Sequence, residues 1–329
     1  MRLRLIASTT LAVALAVGAI ASCAAFSGEP EDDAVAVDAE GGASGDASDG
    51  GFVDCRTRPI ASWSEPERLG LVGPAGEVQL RDPFVTADGL TLYLGHLDGD
   101  GWRVFRALRT SRSAPWGTPS ELPGFRAPSY ARPYPSAAVG PGDEVVAAIA
   151  GVHTDMGAIV RDGGAWGATL YEELQRPDVE FAPTVTADGT TIVYVEVNAP
   201  RPNDQFRILL QSSRGAGSRT SPWSGAKQIA DGPDGGSALP PGLDSPALTS
   251  DGLGLFYVTI EEPHLVRYAT RKVRASSFFG AAAPPQQLPA LSAAPGFASR
   301  VRSMTEDGCE VYLTSDRGGV EEAWFARRR

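Results

Sequence analysis

Three acidic residues stand just upstream of three matched prolines: Asp82 before Pro83, Glu180 before Pro183 and Asp244 before Pro246. Carboxylates brought together can do general acid–base work, and glycoside cleavage needs one as acid and one as base or nucleophile. Their offsets from proline are one, three and two residues, so convergence is not built into the pattern. Other chemistry is sparse. His96, His153 and His264 occupy non-equivalent places without a second ligand at a useful spacing, so no metal site is expected. Asp98-Gly99-Asp100-Gly101 has the outline of a calcium-loop fragment but lacks the downstream acid, and reads better as a hairpin turn. Neither a nucleophile elbow nor a phosphate-binding glycine loop is present, and no cofactor is implied.

The elements that would carry those acids are visible as a repeat. Trp63, Trp116, Trp166, Trp223 and Phe279 alternate with turns at Asp88-Gly89, Gly142-Asp143, Asp188-Gly189, Asp251-Gly252 and Asp307-Gly308. From each aromatic to the next turn the spacing is 25, 26, 22, 28 and 28 residues. A steady period of about 50 residues means one supersecondary unit, copied and stacked. Four of the turns share a Thr-x-Asp-Gly core, starting at Thr86, Thr186, Thr249 and Thr305. An apolar residue precedes each of these, at Val85, Val185, Leu248 and Met304, and a β-rich run such as Leu92-Tyr93-Leu94 follows. Asp-Gly between apolar runs signals a hairpin, because glycine accepts the positive φ of a tight turn. A third apolar run and a short fourth run after the aromatic give four antiparallel strands per unit. The 26 prolines and 38 glycines argue against long helices. The aromatics, fixed in place in every unit, are expected to pack between units.

These residues resemble the WD40-like β-propeller repeats of the TolB type, in which proline, a small residue, Ser/Thr and Asp-Gly precede a Leu-Tyr-Phe-like strand. The last unit, Thr305 to Gly319, matches best, and Ala138 to Asp143 departs most. The resemblance spans residues 60–329 and implies an all-β fold, a five-bladed β-propeller of four-stranded antiparallel blades. The repeats open on a fourth-strand motif, Trp63 to Leu69, and close on a third strand, Glu322 to Ala326. The N-terminal strand is therefore expected to complete the last blade and remove its free edge. A sixth blade within 198–222 is not expected. Five-bladed, arabinanase-like glycosidases place three carboxylates around one channel mouth, and Asp82-Pro83 resembles their first-strand motif. An acid near that proline also belongs to the WD40-like pattern, where it caps or joins blades.

Residues 1–22 read as a signal peptide, with Arg2 and Arg4 ahead of an apolar run from Leu5 to Ile20. Ile20-Ala21-Ser22-Cys23 resembles a bacterial lipobox, which makes Cys23 the lipidated first residue of the mature chain. Ala24 in place of Asp behind it implies outer-membrane retention, facing the periplasm or the exterior. Residues 23–54 form an acidic Gly/Ala/Ser tether. Within 24–54 there are nine acidic and no basic side chains, too polar to bury a core. Such a tether has a mean span of roughly 30 Å. The propeller domain, 55–329, follows. Residues 56–329 carry 27 basic and 31 acidic side chains, so nothing supplies the basic face a nucleic acid would need. With Cys23 acylated, Cys55 and Cys309 remain, and an even pair in an exported chain suggests a disulfide. The predicted blade order puts both on one face of the closing blade.

The expectation is a non-enzymatic one: a monomeric, exported, lipid-anchored propeller, touching the membrane only through its anchor. It would serve as a protein-binding or scaffolding module of the cell envelope, its partner an unidentified envelope protein or glycan. The alternative is a glycan-acting hydrolase using Asp82, Glu180 and Asp244, which requires those carboxylates to lie within about 10 Å of one another.

Overall fold

The computed structural model describes residues 54–76, 79–99, 101–122, 144–150, 154–162, 165–174, 179–198, 206–215, 222–229, 243–259, 264–274, 278 and 284–329. The expected leader, Cys23, the tether up to residue 53, the Gly142-Asp143 turn, His153 and Phe279 lie outside them. In chain order the strands are β1 (Glu67–Arg68), β2 (Arg81–Val85), β3 (Thr91–Asp98), β4 (Gly101–Leu108), β5 (Ser120–Glu121), β6 (Glu144–Ala150), β7 (Thr154–Asp162) and β8 (Ala165–Leu170). They continue as β9 (Val179–Val185), β10 (Thr191–Asn198), β11 (Phe206–Ser213), β12 (Lys227–Gln228), β13 (Leu243–Leu248), β14 (Gly254–Thr259), β15 (Val266–Thr270), β16 (Gln286–Gln287), β17 (Ser299–Met304), β18 (Glu310–Ser315) and β19 (Glu322–Arg327). Among the described residues no helix is long and apolar enough to cross a membrane.

The sheets are antiparallel and follow the repeat: β2-β3-β4-β5, β9-β10-β11-β12, β13-β14-β15-β16, and a closing sheet of β17, β18, β19 and β1. This is an all-β, propeller-like arrangement with four complete blades. The expected count of five four-stranded blades is corrected to four among the described residues. The second unit shows a three-stranded sheet, β6-β7-β8, because the strand expected ahead of Gly142-Asp143 falls in 123–143. The seam does close as the motif order requires: β1 pairs with β19, Glu67 opposite Phe325.

Each Thr-x-Asp-Gly turn is held by its own side chains. Thr86 donates to Asp88 Oδ1 at 2.5 Å, the Leu90 amide donates to the same oxygen, and the Thr91 amide donates to Thr86 Oγ1. The same bonds recur from Thr186, Thr249 and Thr305 to Asp188, Asp251 and Asp307. The glycines that follow have φ between 68° and 76°, the left-handed region in which a Cβ is costly. The Asp188 carboxyl shows the result. Partial burial works against its ionised form, but hydrogen bonds from Thr186, Arg274 and Thr190 outweigh that and bring it down to about 2. A depressed folded-state pKa contributes stability above the ordinary value of 3.8 and loses it as pH falls toward 2. Stability measured by urea unfolding is therefore expected to fall across that window, and Asp188→Asn to flatten part of the slope. An unchanged slope in the variant would contradict the assignment.

The middle strands are apolar without alternation, as in Leu92-Tyr93-Leu94 and Val311-Tyr312-Leu313, and all six are buried. The cause is stacking: each face of a middle strand meets a neighbouring sheet. One core cluster joins Val193 and Val195 of β10 to Leu255 and Tyr257 of β14. A second joins Phe256 of β14 to Val311 and Leu313 of β18, and a third joins Tyr312 to Leu92 and Leu94 of β3. Inner strands are also stitched by hydroxyls. The Val85 amide donates to Ser303 Oγ at 2.9 Å, and the Leu248 amide donates to Thr184 Oγ1 at 3.0 Å.

Cys55 and Cys309 are joined in a disulfide, with Cα atoms 5.0 Å apart and 254 residues between them in sequence. It ties the segment ahead of β1 to the turn that opens β18, so it locks the seam. Replacing both cysteines with serine is expected to cost about 2–4 kcal/mol of unfolding free energy. Equal denaturation midpoints for the parent and the double variant would remove the seam role.

Candidate functional site

The three candidate acids are each the second residue of an inner strand, in β2, β9 and β13, at the end away from the Asp-Gly turns. Their strands share an irregularity. The register of β2 on β3, β9 on β10 and β13 on β14 slips where proline stands. The residue before each proline has φ near 51°, and these residues are Asp82, Ala182 and Ser245. A bulge with its first residue left-handed explains the geometry: proline cannot donate to the ladder, so one extra residue is looped out there. Asp82 thus occupies the bulge itself, Asp244 lies one residue before it and Glu180 two before it. Successive residues of a strand point to opposite faces, so the three acids hold three different positions in the repeat.

Asp82 is turned inward. It is 1% exposed, and one of its carboxylate oxygens lies 3.0 Å from Nη2 of Arg302 on the neighbouring inner strand β17. The hydroxyl of Thr314 donates to the same oxygen at 3.3 Å and accepts from the Asp82 amide at 3.0 Å. A carboxylate so engaged joins two blades. Asp244 is half-buried and accepts from Ser245 Oγ at 3.1 Å. The β9 backbone sets Glu180 opposite Glu196 of β10.

At the turn end, Val85, Val185, Leu248 and Met304 line a small cavity of about 80 Å³. These are the four apolar residues that precede the turn threonines. The histidines go separate ways: His96 packs edge-on against Phe105, and His264 Nδ1 lies 3.2 Å from the Thr259 carbonyl. Among the described residues no cluster of His, Cys, Asp or Glu is placed to hold a metal ion.

Four aromatics of the described residues are packing sites, and each carries a partner that the repeat pattern did not single out. Arg109 lies 4.3 Å over Trp116, Arg214 4.5 Å over Trp223, Arg271 4.2 Å over Phe278 and Arg328 5.5 Å over Trp63. Phe278, next to the expected Phe279, is the aromatic beneath Arg271 and is fully buried. The first three arginines also donate through Nε to the carbonyls of Gly89, Gly189 and Gly252. In each of the four units the arginine directly follows the third strand, which ends at Leu108, Ser213, Thr270 and Arg327.

No protein-family model matches the chain, and no curated protein matches it in sequence. Solved structures with a similar course include a puromycin-hydrolysing peptidase from Mycobacterium tuberculosis, 16% identical with a TM-score of 0.39. That alignment covers 82% of this chain and 40% of the peptidase, so this chain spans well under half the peptidase's length. TolB from Acinetobacter baumannii is 11% identical, with a TM-score of 0.42 over 77% of this chain and 55% of its own. The catalytic domain of an α-L-arabinofuranosidase from Coprinopsis cinerea is 9% identical, with a TM-score of 0.48 over 82% and 98%. Likenesses this distant assign neither activity nor partner.

Proposed function

We propose that this chain is an exported β-propeller of the TolB type that acts as a protein-binding or scaffolding module of the bacterial cell envelope. In this reading residues 1–22 are removed and Cys23 carries the lipid. The domain then hangs from the outer membrane on its acidic tether, facing the periplasm or the exterior. The sheet β6-β7-β8 counts as the remaining blade of a five-bladed ring, supported by the packing of β6 and β7 beside β9. The observation that carries the non-catalytic reading is the burial of Asp82 against Arg302. The acid that best matches a glycosidase motif is spent on holding two blades together. Desolvated and paired with a guanidinium, it is ill suited to pass protons to a substrate.

The test is cross-linked capture from envelope extract with the full-length chain, beside a Glu180→Ala/Asp244→Ala variant and an assay for release of sugar from arabino-oligosaccharides. A specific envelope protein, captured by the parent without sugar release, is the expected result. Sugar release that the double variant abolishes would replace the binding module with the hydrolase.

A further inference from the structure

Of the residues two after the four Asp-Gly turn glycines (Thr91, Thr191, Gly254 and Glu310), one is an acid and one has no side chain. Where the closing blade meets the first, Arg109 Nη2 donates to Glu310 Oε2 at 2.7 Å, and the Tyr312 hydroxyl donates to the same oxygen at 2.9 Å. Glu310 stands two residues after the turn glycine Gly308. Where the β13–β16 blade meets the closing blade, Arg328 holds the place of Arg109. The residue two after turn glycine Gly252 is Gly254. No carboxylate can be supplied from that position. A Cβ at 254 would collide with the hydroxyl of Tyr268, which lies over the glycine.

What stands there instead is a cleft of about 370 Å³, lined by Arg328, Tyr268, Arg58, Asp251, Ile60 and Met304 among others. Arg328 is buried. Its Nε donates to the Pro59 carbonyl and its Nη2 to the Arg58 carbonyl, while Nη1 makes no hydrogen bond among the described residues. The Tyr268 hydroxyl likewise makes no hydrogen bond among the described residues, in contrast to that of Tyr312. Four arginines (Arg56, Arg58, Arg271, Arg328) face two acids (Asp251, Glu306) along the walls. Burial, followed by the charge of Asp251, pushes the Tyr268 phenol up to about 12, so it stays a neutral donor at any ordinary pH. Ile60, Leu253 and Met304 give the cleft an apolar side. A guanidinium N–H and a phenol O–H surround the Glu310 carboxylate at one interface. At the other, Phe256 holds the place of Tyr312, and a phenol from β15, Tyr268, lines the cleft together with Arg328 and no counterpart of Glu310.

We propose that this cleft binds a carboxylate carried on an aliphatic group, the carboxylate being held by Arg328 and Tyr268 as Glu310 is held by Arg109 and Tyr312. Charge-assisted bonds of this kind favour an acid over its uncharged amide by about tenfold or more. The cleft is on the turn side, away from the candidate acids, so the inference stands independently of the function proposed above.

The experiment is calorimetric titration of the full-length chain with N-acetyl-leucine and with N-acetyl-leucinamide, then with a leucine-ended pentapeptide bearing a free or an amidated C-terminus. The acid is expected to bind at least about tenfold tighter than the amide. Tyr268→Phe, which removes one hydroxyl and leaves the packing, is expected to weaken the acid about three- to tenfold without moving the melting temperature. Arg328→Gln is expected to abolish the preference for acid over amide. A free-ended peptide binding tighter than N-acetyl-leucine assigns the source to a peptide C-terminus, and equal binding assigns it to a small acid. Equal affinities for acid and amide, or no heat from either up to about 10 mM, a range that would detect even millimolar binding, would overturn the proposal. So would inorganic phosphate displacing the acid at lower concentration.

Discussion

Asp82→Ala is expected to lower the unfolding free energy by about 3–5 kcal/mol, because it takes a buried carboxylate from a buried guanidinium. The Asp82 side chain is 1% exposed and that of Arg302 8%, and their polar atoms are 3.0 Å apart. A surface pair would contribute about 1 kcal/mol or less, so depth of burial sets the size of the effect. The charge lost from β2 leaves Arg302 on β17 desolvated without this partner. Asp82→Asn should cost less, since the amide keeps an acceptor for Thr314 and tolerates the left-handed backbone at φ 51°. Combining Asp82→Ala with Arg302→Met should recover part of the loss, as replacing a buried pair with apolar groups is often near neutral. Chemical denaturation of the full-length variants decides the matter. A loss below about 1 kcal/mol in Asp82→Ala would mean that the pair is not a blade fastener, and would return Asp82 to the list of candidate catalytic acids.

The turns were legible in the sequence because everything that makes them is local. Threonine, aspartate and glycine within four residues supply the hydrogen bonds and the positive φ, and Thr86 reaches no further than Thr91. The seam was legible for a related reason: strand order along the chain dictates that β1 must join β19. The acids were legible only as a list. Their unequal offsets from proline already set them apart, and the bulge gives the reason: Asp82 stands in the loop-out, Asp244 one residue before it and Glu180 two before it. Neither the Asp82–Arg302 pair nor the Arg109–Glu310 pair could be read from spacing, because each joins residues more than 200 positions apart across a blade interface. The contrast between Glu310 and Gly254 is subtler still. It appears only when two interfaces are compared position by position.

Glu310→Ala is expected to cost a similar 3–5 kcal/mol, by a different arrangement of the same physics. Its carboxylate serves three donors from two blades: Arg109 Nη2 at 2.7 Å, the Tyr312 hydroxyl at 2.9 Å and Arg327 Nε at 3.3 Å. The side chain of Arg109 is 3% exposed and that of Glu310 9%, whereas that of Arg327 is 60% exposed and contributes little. Removing the carboxylate therefore strands two buried donors at once. Arg109 cannot swing away, since its Nε is fixed on the Gly89 carbonyl, its Nη1 on the Arg112 carbonyl, and its plane on Trp116. Glu310→Gln keeps an acceptor and should cost roughly half as much, the difference reporting the charge alone. A second readout is independent of folding stability. Burial first, and then the charge of Glu310, drives the Tyr312 phenol far above its ordinary value. In Glu310→Gln its alkaline titration, followed by tyrosinate absorbance, should move down while remaining raised by burial. A downward shift together with lost stability establishes Glu310 as the shared counter-charge of the closing interface. If stability falls but the phenol titration does not move, packing at position 310 is responsible and the charge is not.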